Sequence, residues 1–294
     1  MVFYMNKCAI TIDVDMNFGN NDKENIDCFE ECFEMIKSIL INFKEIKTTW
    51  FIRVDNEIKE KYGEAAYLLK KFADQMKWLT GNGHQLGWHA HCKFGSGVYS
   101  NLEEKERTKL IIDELDNNIQ SASEYGLQKC FRMGSCLMND AILNYLEKSG
   151  VKIDCSALPR PNYSWVDKMI RWNYTSYKPY YPKTDNYQVT SLNKYECRKI
   201  IEVPITTIGI SASYDSIPDI KRYLNVAYKN EIFREAINLI NDDCVLIMHP
   251  EDIWNKMVGR HELLSYSSIE LKENLGLVKN IFDCVTIADY VKRI

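Results

Sequence analysis

Short β-rich apolar runs alternate with longer helical stretches along the chain, and this rhythm restricts the fold more than any other feature. The candidate strands are Cys8–Val14, Thr48–Arg53, Gln85–His89, Lys129–Arg132, Val151–Cys155, Lys199–Ile205, Cys244–His249 and Cys284–Ile287. In Glu24–Leu40 the apolar residues Phe29, Cys32, Phe33, Ile36 and Leu40 recur at helical spacing. Glu104–Tyr125, Ala141–Lys148 and Leu263–Phe282 read the same way. Such alternation implies a parallel sheet with helices outside it. Seven or eight units in 294 residues imply a closed or nearly closed α/β barrel. Barrels of this size fold as single domains, so the chain reads as one domain over residues 1–294. The alternative is an open doubly wound sheet. Against it, Asp13-Val14-Asp15 follows the first strand where such a sheet carries a Gly-rich phosphate loop.

Charge and composition exclude several classes. The net charge is -4, the pI is near 5.8, and no basic stripe of the kind nucleic-acid binders carry is present. The 10 cysteines are scattered, without a CxxC pair, as expected of reduced thiols in a reducing compartment. The N-terminus lacks the basic region and long apolar stretch of a secretory signal, and no run is long enough to span a membrane. The expected location is the cytoplasm and the expected partner a small-molecule or carbohydrate substrate.

The ionisable residues cluster at strand ends. Asp13 and Asp15 end the first candidate strand, Arg53 and Asp55 the second, His89 and His91 the third, Arg132 the fourth, Asp154 the fifth and His249 the seventh. In a parallel barrel the carboxyl ends of all strands share the face on which active sites form. Asp13 and Asp15, two apart on an extended chain, point the same way and repel unless a cation or arginine intervenes. A metal ion resolves this if one carboxylate ligates and the other accepts a proton. His89 and His91, also two apart, suit one metal ion. His84 reads as structural. Pro250 fixes the direction of His249, which can act as a general acid near neutral pH. Arg132 can pair with Asp13, and Asp154 can orient His249. The segment 162–187 has no clear period and carries eight aromatic residues, among them Tyr163, Trp165, Trp172, Tyr180 and Tyr181. Such rings stack on sugar faces, so Trp172, Tyr180 and Tyr181 are candidate substrate contacts, with Trp88, Arg53 and Asp55 from the strand ends.

At these residues the chain resembles the polysaccharide deacetylase (NodB-like) family, carbohydrate esterase family 4. Thr11–Asp15 resembles its first motif, which implies Asp13 as catalytic base and Asp15 as metal ligand. Gly83–His89 resembles the second, Phe131-Arg132 the third, Val151–Ser156 the fourth and Leu246–Pro250 the fifth, whose histidine is the general acid. Glu202-Val203-Pro204 resembles a further strand common in the family. The resemblance implies a distorted (β/α)7 barrel of the polysaccharide deacetylase type. Two departures stand out. The family's second motif carries another ligand histidine four residues on, and here that position is Lys93. Either His91 takes the ligand role or the site has lost a ligand. Arg132 is also followed by Met133-Gly134 in place of the usual proline.

The expected activity is removal of an N-acetyl or N-formyl group from an amino sugar, on a nucleotide- or lipid-linked carrier. A divalent metal, zinc or a relative, is the expected cofactor, held by Asp15, His89 and His91. The alternatives are a hydrolase of a non-sugar linear or cyclic amide, and a catalytically inactive carbohydrate-binding homologue.

Overall fold

The computed structural model describes residues 5–18, 22–95, 99, 101–159, 167, 169–216, 220–257 and 259–293. The strands are β1 (Lys7–Val14), β2 (Thr48–Arg53), β3 (Gln85–Ala90), β4 (Cys130–Met133), β5 (Ile153–Asp154), β6 (Pro182–Lys183), β7 (Asn186–Thr190), β8 (Ile201–Glu202), β9 (Thr207–Gly209), β10 (Lys221–Tyr223), β11 (Cys244–Met248) and β12 (Asp283–Cys284). The helices are α1 (Asp22–Asn42), α2 (Asn56–Tyr62), α3 (Tyr67–Lys71), α4 (Ala73–Gly81), α5 (Glu104–Glu124), α6 (Asp140–Lys148), α7 (Asn230–Ile237), α8 (Ser268–Ile281) and α9 (Ile287–Tyr290). The main sheet runs β11-β1-β2-β3-β4-β5-β8, with β12 also on β1. None of the helices described is long and apolar enough to cross a membrane.

The chain divides into two compact units. The first comprises residues 1–50, 78–85 and 206–293. In it β1 pairs in parallel with β11 and β12, and β9 and β10 form an antiparallel hairpin. Every residue of β1 and of β11 is buried, which is why β11 reads as an unbroken apolar run and β1 as mostly apolar without strict alternation. Ile12 lies opposite Met248, so Asp13 and His249 leave neighbouring strands at the same level.

The second unit comprises residues 51–77 and 86–205. In it β3, β4, β5 and β8 pair in parallel, and β6 and β7 form a hairpin. His89 lies opposite Arg132, and Phe131 opposite Asp154, which sets these residues on adjacent strands. Asp55 begins α2 by accepting the Ile58 N–H at 2.9 Å, and Gly63 ends it in the left-handed region at φ 92°. Asn139 caps α6 in the same way through Ile142 N–H, at 3.0 Å.

Three boundaries differ from expectation for local reasons. The helix expected over Leu263–Phe282 starts only at Ser268, because Tyr266 takes a positive φ of 51° and Ser267 caps Glu270 N–H at 3.3 Å. The strands expected over Val151–Cys155 and Lys199–Ile205 are regular only at Ile153–Asp154 and Ile201–Glu202. The region between β2 and β3 folds into the short helices α2, α3 and α4, whose few turns leave little periodic signal. Tyr163 and Trp165 lie outside the described residues.

Candidate active site

In the first unit the focus is His249. Its Nε2 lies 3.8 Å from Asp15 Oδ2, and its Nδ1 lies 3.4 Å from Asp252 Oδ2. The imidazole is therefore set between two carboxylates. Asp252 is held for this position: its Oδ2 also accepts the His249 backbone N–H at 2.8 Å and the Asn225 side-chain amide at 2.7 Å. Burial opposes a charge on His249, but Asp252, Asp15 and Glu251 outweigh it and favour the imidazolium well above the ordinary histidine range. Burial, with Asp15 and Asp252 adding like charge, pushes Glu251 up to about 8, against the opposing pull of His249. Asp13 is buried at the end of β1; Asp15 follows it and is partly exposed, and Met16 then takes a positive φ of 60°. The carboxylate facing His249 Nδ1 in this unit is thus Asp252. Its sequence signal was its place three residues on, in the turn that Pro250 opens.

In the second unit the focus is a pair of imidazoles. His89 is buried, and its Nδ1 lies 2.9 Å from the Arg132 carbonyl oxygen. A carbonyl only accepts, so Nδ1 carries the proton and Nε2 presents its lone pair. His91 Nε2 faces it at 3.0 Å, with the rings edge to face. The backbone around His91 is held at several points. Asp55 accepts the His91 N–H at 3.1 Å, buried Glu114 takes the Lys93 N–H and the Cys92 thiol, and Arg107 donates to the Phe94 carbonyl at 2.6 Å. Burial pushes Glu114 up to about 7, against those two donors. The His91 ring lies against Gly134: a Cβ there would come within 2.5 Å of its Cδ2. Ser135 and Cys136 follow at φ 57° and 56°, a sparsely populated conformation for residues with side chains.

Arg132 is buried; its Nε donates to the Cys155 carbonyl at 2.9 Å, and its guanidinium lies 4.4 Å from the Phe51 ring centre. Asp154 is fully buried and accepts the Ser156 hydroxyl at 2.6 Å. It shares its environment with Glu202, which accepts the Ala157 N–H at 2.9 Å. Burial raises both carboxyls; Asp154 pushes Glu202 up further, whereas hydrogen bonds from Glu202 and Ser156 hold Asp154 back, so Glu202 is the member that favours keeping a proton.

A cavity of about 310 Å³ opens beside His91, lined by Glu57, Glu60, His91, Cys92, Lys93, Gly134, Ser135 and Leu137. Lys93 is half exposed, with its Nζ 4.0 Å from Glu60 Oε1. Several expected substrate contacts are built into the protein instead. Trp88 is completely buried and donates its indole N–H to the Val54 carbonyl. Trp172 is buried and donates to the Cys136 carbonyl, and buried Tyr180 donates to the Tyr187 carbonyl. Rings with both faces packed and their polar tips engaged have no surface for a sugar. Arg53 and Asp55 are buried and paired with each other, Nε to Oδ2 at 2.7 Å, and Asp55 serves the α2 cap and the His91 N–H. They support the site from behind. Tyr181 alone of these aromatics keeps partial exposure. His84 is structural, its Nδ1 accepting the Thr48 N–H at 3.1 Å.

Sequence reasoning missed Asp252, Glu114, Gly134 and the cavity residues Glu57 and Glu60. The absence of the proline after Arg132 was visible, but its purpose, room for an imidazole, was not.

No protein-family model matches the chain, and no curated protein sequence matches it. Solved structures do. A candidate polysaccharide deacetylase from Mycobacterium smegmatis superposes with a TM-score of 0.59 at 14% identity, covering 100% of this chain and 92% of that one. A candidate glycoside hydrolase/deacetylase from Parabacteroides distasonis gives a TM-score of 0.59 at 10% identity, covering 97% and 70%.

Proposed function

This chain has the polysaccharide deacetylase fold, a distorted (β/α)7 barrel, and from that premise we propose that residues 1–294 form one catalytic domain that hydrolyses an N-acyl group from an amino sugar. The observation that carries the reading is the imidazole pair. His89 is fixed in one tautomer by the Arg132 carbonyl, and His91 Nε2 is brought to 3.0 Å from His89 Nε2. Two histidine nitrogens at that separation suit adjacent ligand positions on one ion with bonds of ~2.1 Å. An outer hydrogen bond on a ligand histidine is the usual companion of a metal site. His89 and His91 would hold the ion together with Asp15, the ligand that the first sequence motif implies, a donor set suited to zinc and to its divalent neighbours.

When bound, such an ion polarises the scissile carbonyl and lowers the pKa of water at the site. The protein's own groups do the rest. Asp13 takes the proton from the attacking water, and Arg132 is the arginine that positions it. His249 gives a proton from Nε2 to the leaving amine, while Asp252 at Nδ1 fixes the ring and stabilises its charge. Lys93, at the family's second histidine position, is turned towards Glu60, and His91 takes the ligand role.

Hydrolysis of a small non-sugar amide is the second reading, favoured by the lining of the cavity, none of whose described residues is aromatic. Acetate release from N-acetylglucosamine by the zinc-loaded protein, set against ring opening of a simple cyclic amide to the corresponding amino acid, separates the two. Turnover of the cyclic amide alone would reject the sugar reading.

A further inference from the structure

The cavity beside His91 says more about the substrate than the fold does. Its wall is fixed in advance. Glu57 receives Arg53 at 2.7 Å and Lys61 at 2.8 Å. Burial opposes its charge, but these two cations outweigh that and bring Glu57 down to about 2, so it is a permanent acceptor. Glu60 adds a second carboxylate on the same helix, with its side chain about two-thirds exposed. Ser135 also lines the cavity in a strained conformation, and Gly134 leaves no slack against the His91 ring. Strain held at a cavity wall is characteristic of functional sites.

Two features define what fits. A volume of about 310 Å³ is at the lower end of the ~300–1,000 Å³ range of ligand sites. It has room for about one ring, so a nucleoside diphosphate attached to that ring would lie outside it. Among the described residues that line the space, the charged groups are two carboxylates against one ammonium, and that ammonium, on Lys93, lies 4.0 Å from Glu60. Carboxylates accept strongly from hydroxyl and ammonium donors and repel phosphate.

We propose that this cavity is the recognition subsite for the amine-bearing part of the substrate, and that it selects a single uncharged or cationic ring rich in hydrogen-bond donors over a phosphate-linked one. Glu60 and Glu57 accept from the ring, and Ser135 and Lys93 donate to it. This rests on the amide-hydrolase reading above, and it replaces the nucleotide-linked substrate expected from sequence.

The test compares N-acetylglucosamine with UDP-N-acetylglucosamine on zinc-loaded wild type and on Glu60→Gln. Acetate release gives the kinetics, and calorimetry gives binding. Wild type should favour the free sugar by roughly tenfold or more in kcat/KM. Glu60→Gln should raise KM for the free sugar more than it lowers kcat, and should narrow the gap to the nucleotide sugar. Equal or better use of the nucleotide sugar overturns the proposal, as does a Glu60→Gln variant with wild-type KM and wild-type preference. If neither compound is hydrolysed but N-acetylglucosamine binds and Glu60→Gln weakens it, the subsite stands and the hydrolase reading fails. If N-acetylglucosamine neither binds nor reacts, the subsite is wrong whatever other amide the protein cleaves.

Discussion

A Cβ on Gly134 would stand 2.5 Å from Cδ2 of His91, closer than two such carbons approach. The glycine after Met133 therefore makes the space in which the His91 imidazole faces His89. Gly134→Ala should displace that ring while leaving the fold intact. Zinc affinity is expected to fall ~10–100-fold, the range for losing a group that orients a ligand. Unchanged affinity in a calorimetric titration would show that His91 does not ligate in this position.

Asp252, and not Asp154, faces the Nδ1 of His249. Asp252→Asn should lower kcat by ~10²-fold or more, because the ring loses both its tautomer control and its counter-charge. Asp154→Asn, buried among Ser156 and Glu202, should change kcat by only a few-fold. The reverse order of effects in steady-state kinetics would restore Asp154 to the orienting role.

Much of this was readable from the chain, for identifiable reasons. The long apolar strands β1, β2 and β11 are buried, so their boundaries follow composition almost to the residue. Strand-end positions also anticipated two proximities, Asp15 with His249 and His89 with His91. The aromatic residues misled because burial, not chemistry, decides whether a ring meets solvent. Trp88 and Trp172 each found a carbonyl for the indole N–H inside the protein. Asp252 and Gly134 were harder to single out for the opposite reason. Their importance lies in what approaches them in space, and neither residue type is unusual in a turn.

His84 gives the fold a dependence on pH that is separable from catalysis. Burial, aided by Lys47, holds its pKa at about 4, against an ordinary value of 6.5. Its Nδ1 must stay unprotonated to accept the Thr48 N–H. The folded-state value is depressed, so the unfolded chain binds the proton first. The His84 contribution is intact above about pH 6.5 and is lost as pH falls from there towards about 4. The loss is at most ~3 kcal/mol. His84→Gln, which keeps an acceptor but does not titrate, should flatten this part of the urea-denaturation profile between pH 7 and 4. A parallel decline in both proteins would assign the acid sensitivity to other groups.

Asp13→Asn should leave zinc binding and folding in place and reduce turnover by ~10²–10⁴-fold, the usual contribution of a general base. Turnover within about threefold of wild type would show that Asp13 is not the group that takes the proton.

The central claim is that this protein is a metal-dependent amide hydrolase with His89 and His91 as ligands. Acetate release from N-acetylglucosamine, measured after exhaustive chelation and again after stoichiometric zinc is restored, tests it most directly. The account predicts that chelation abolishes release, that zinc restores it in wild type, and that zinc fails to restore it in His89→Ala and His91→Ala. Release that survives chelation, or that returns with zinc in both histidine variants, would contradict it.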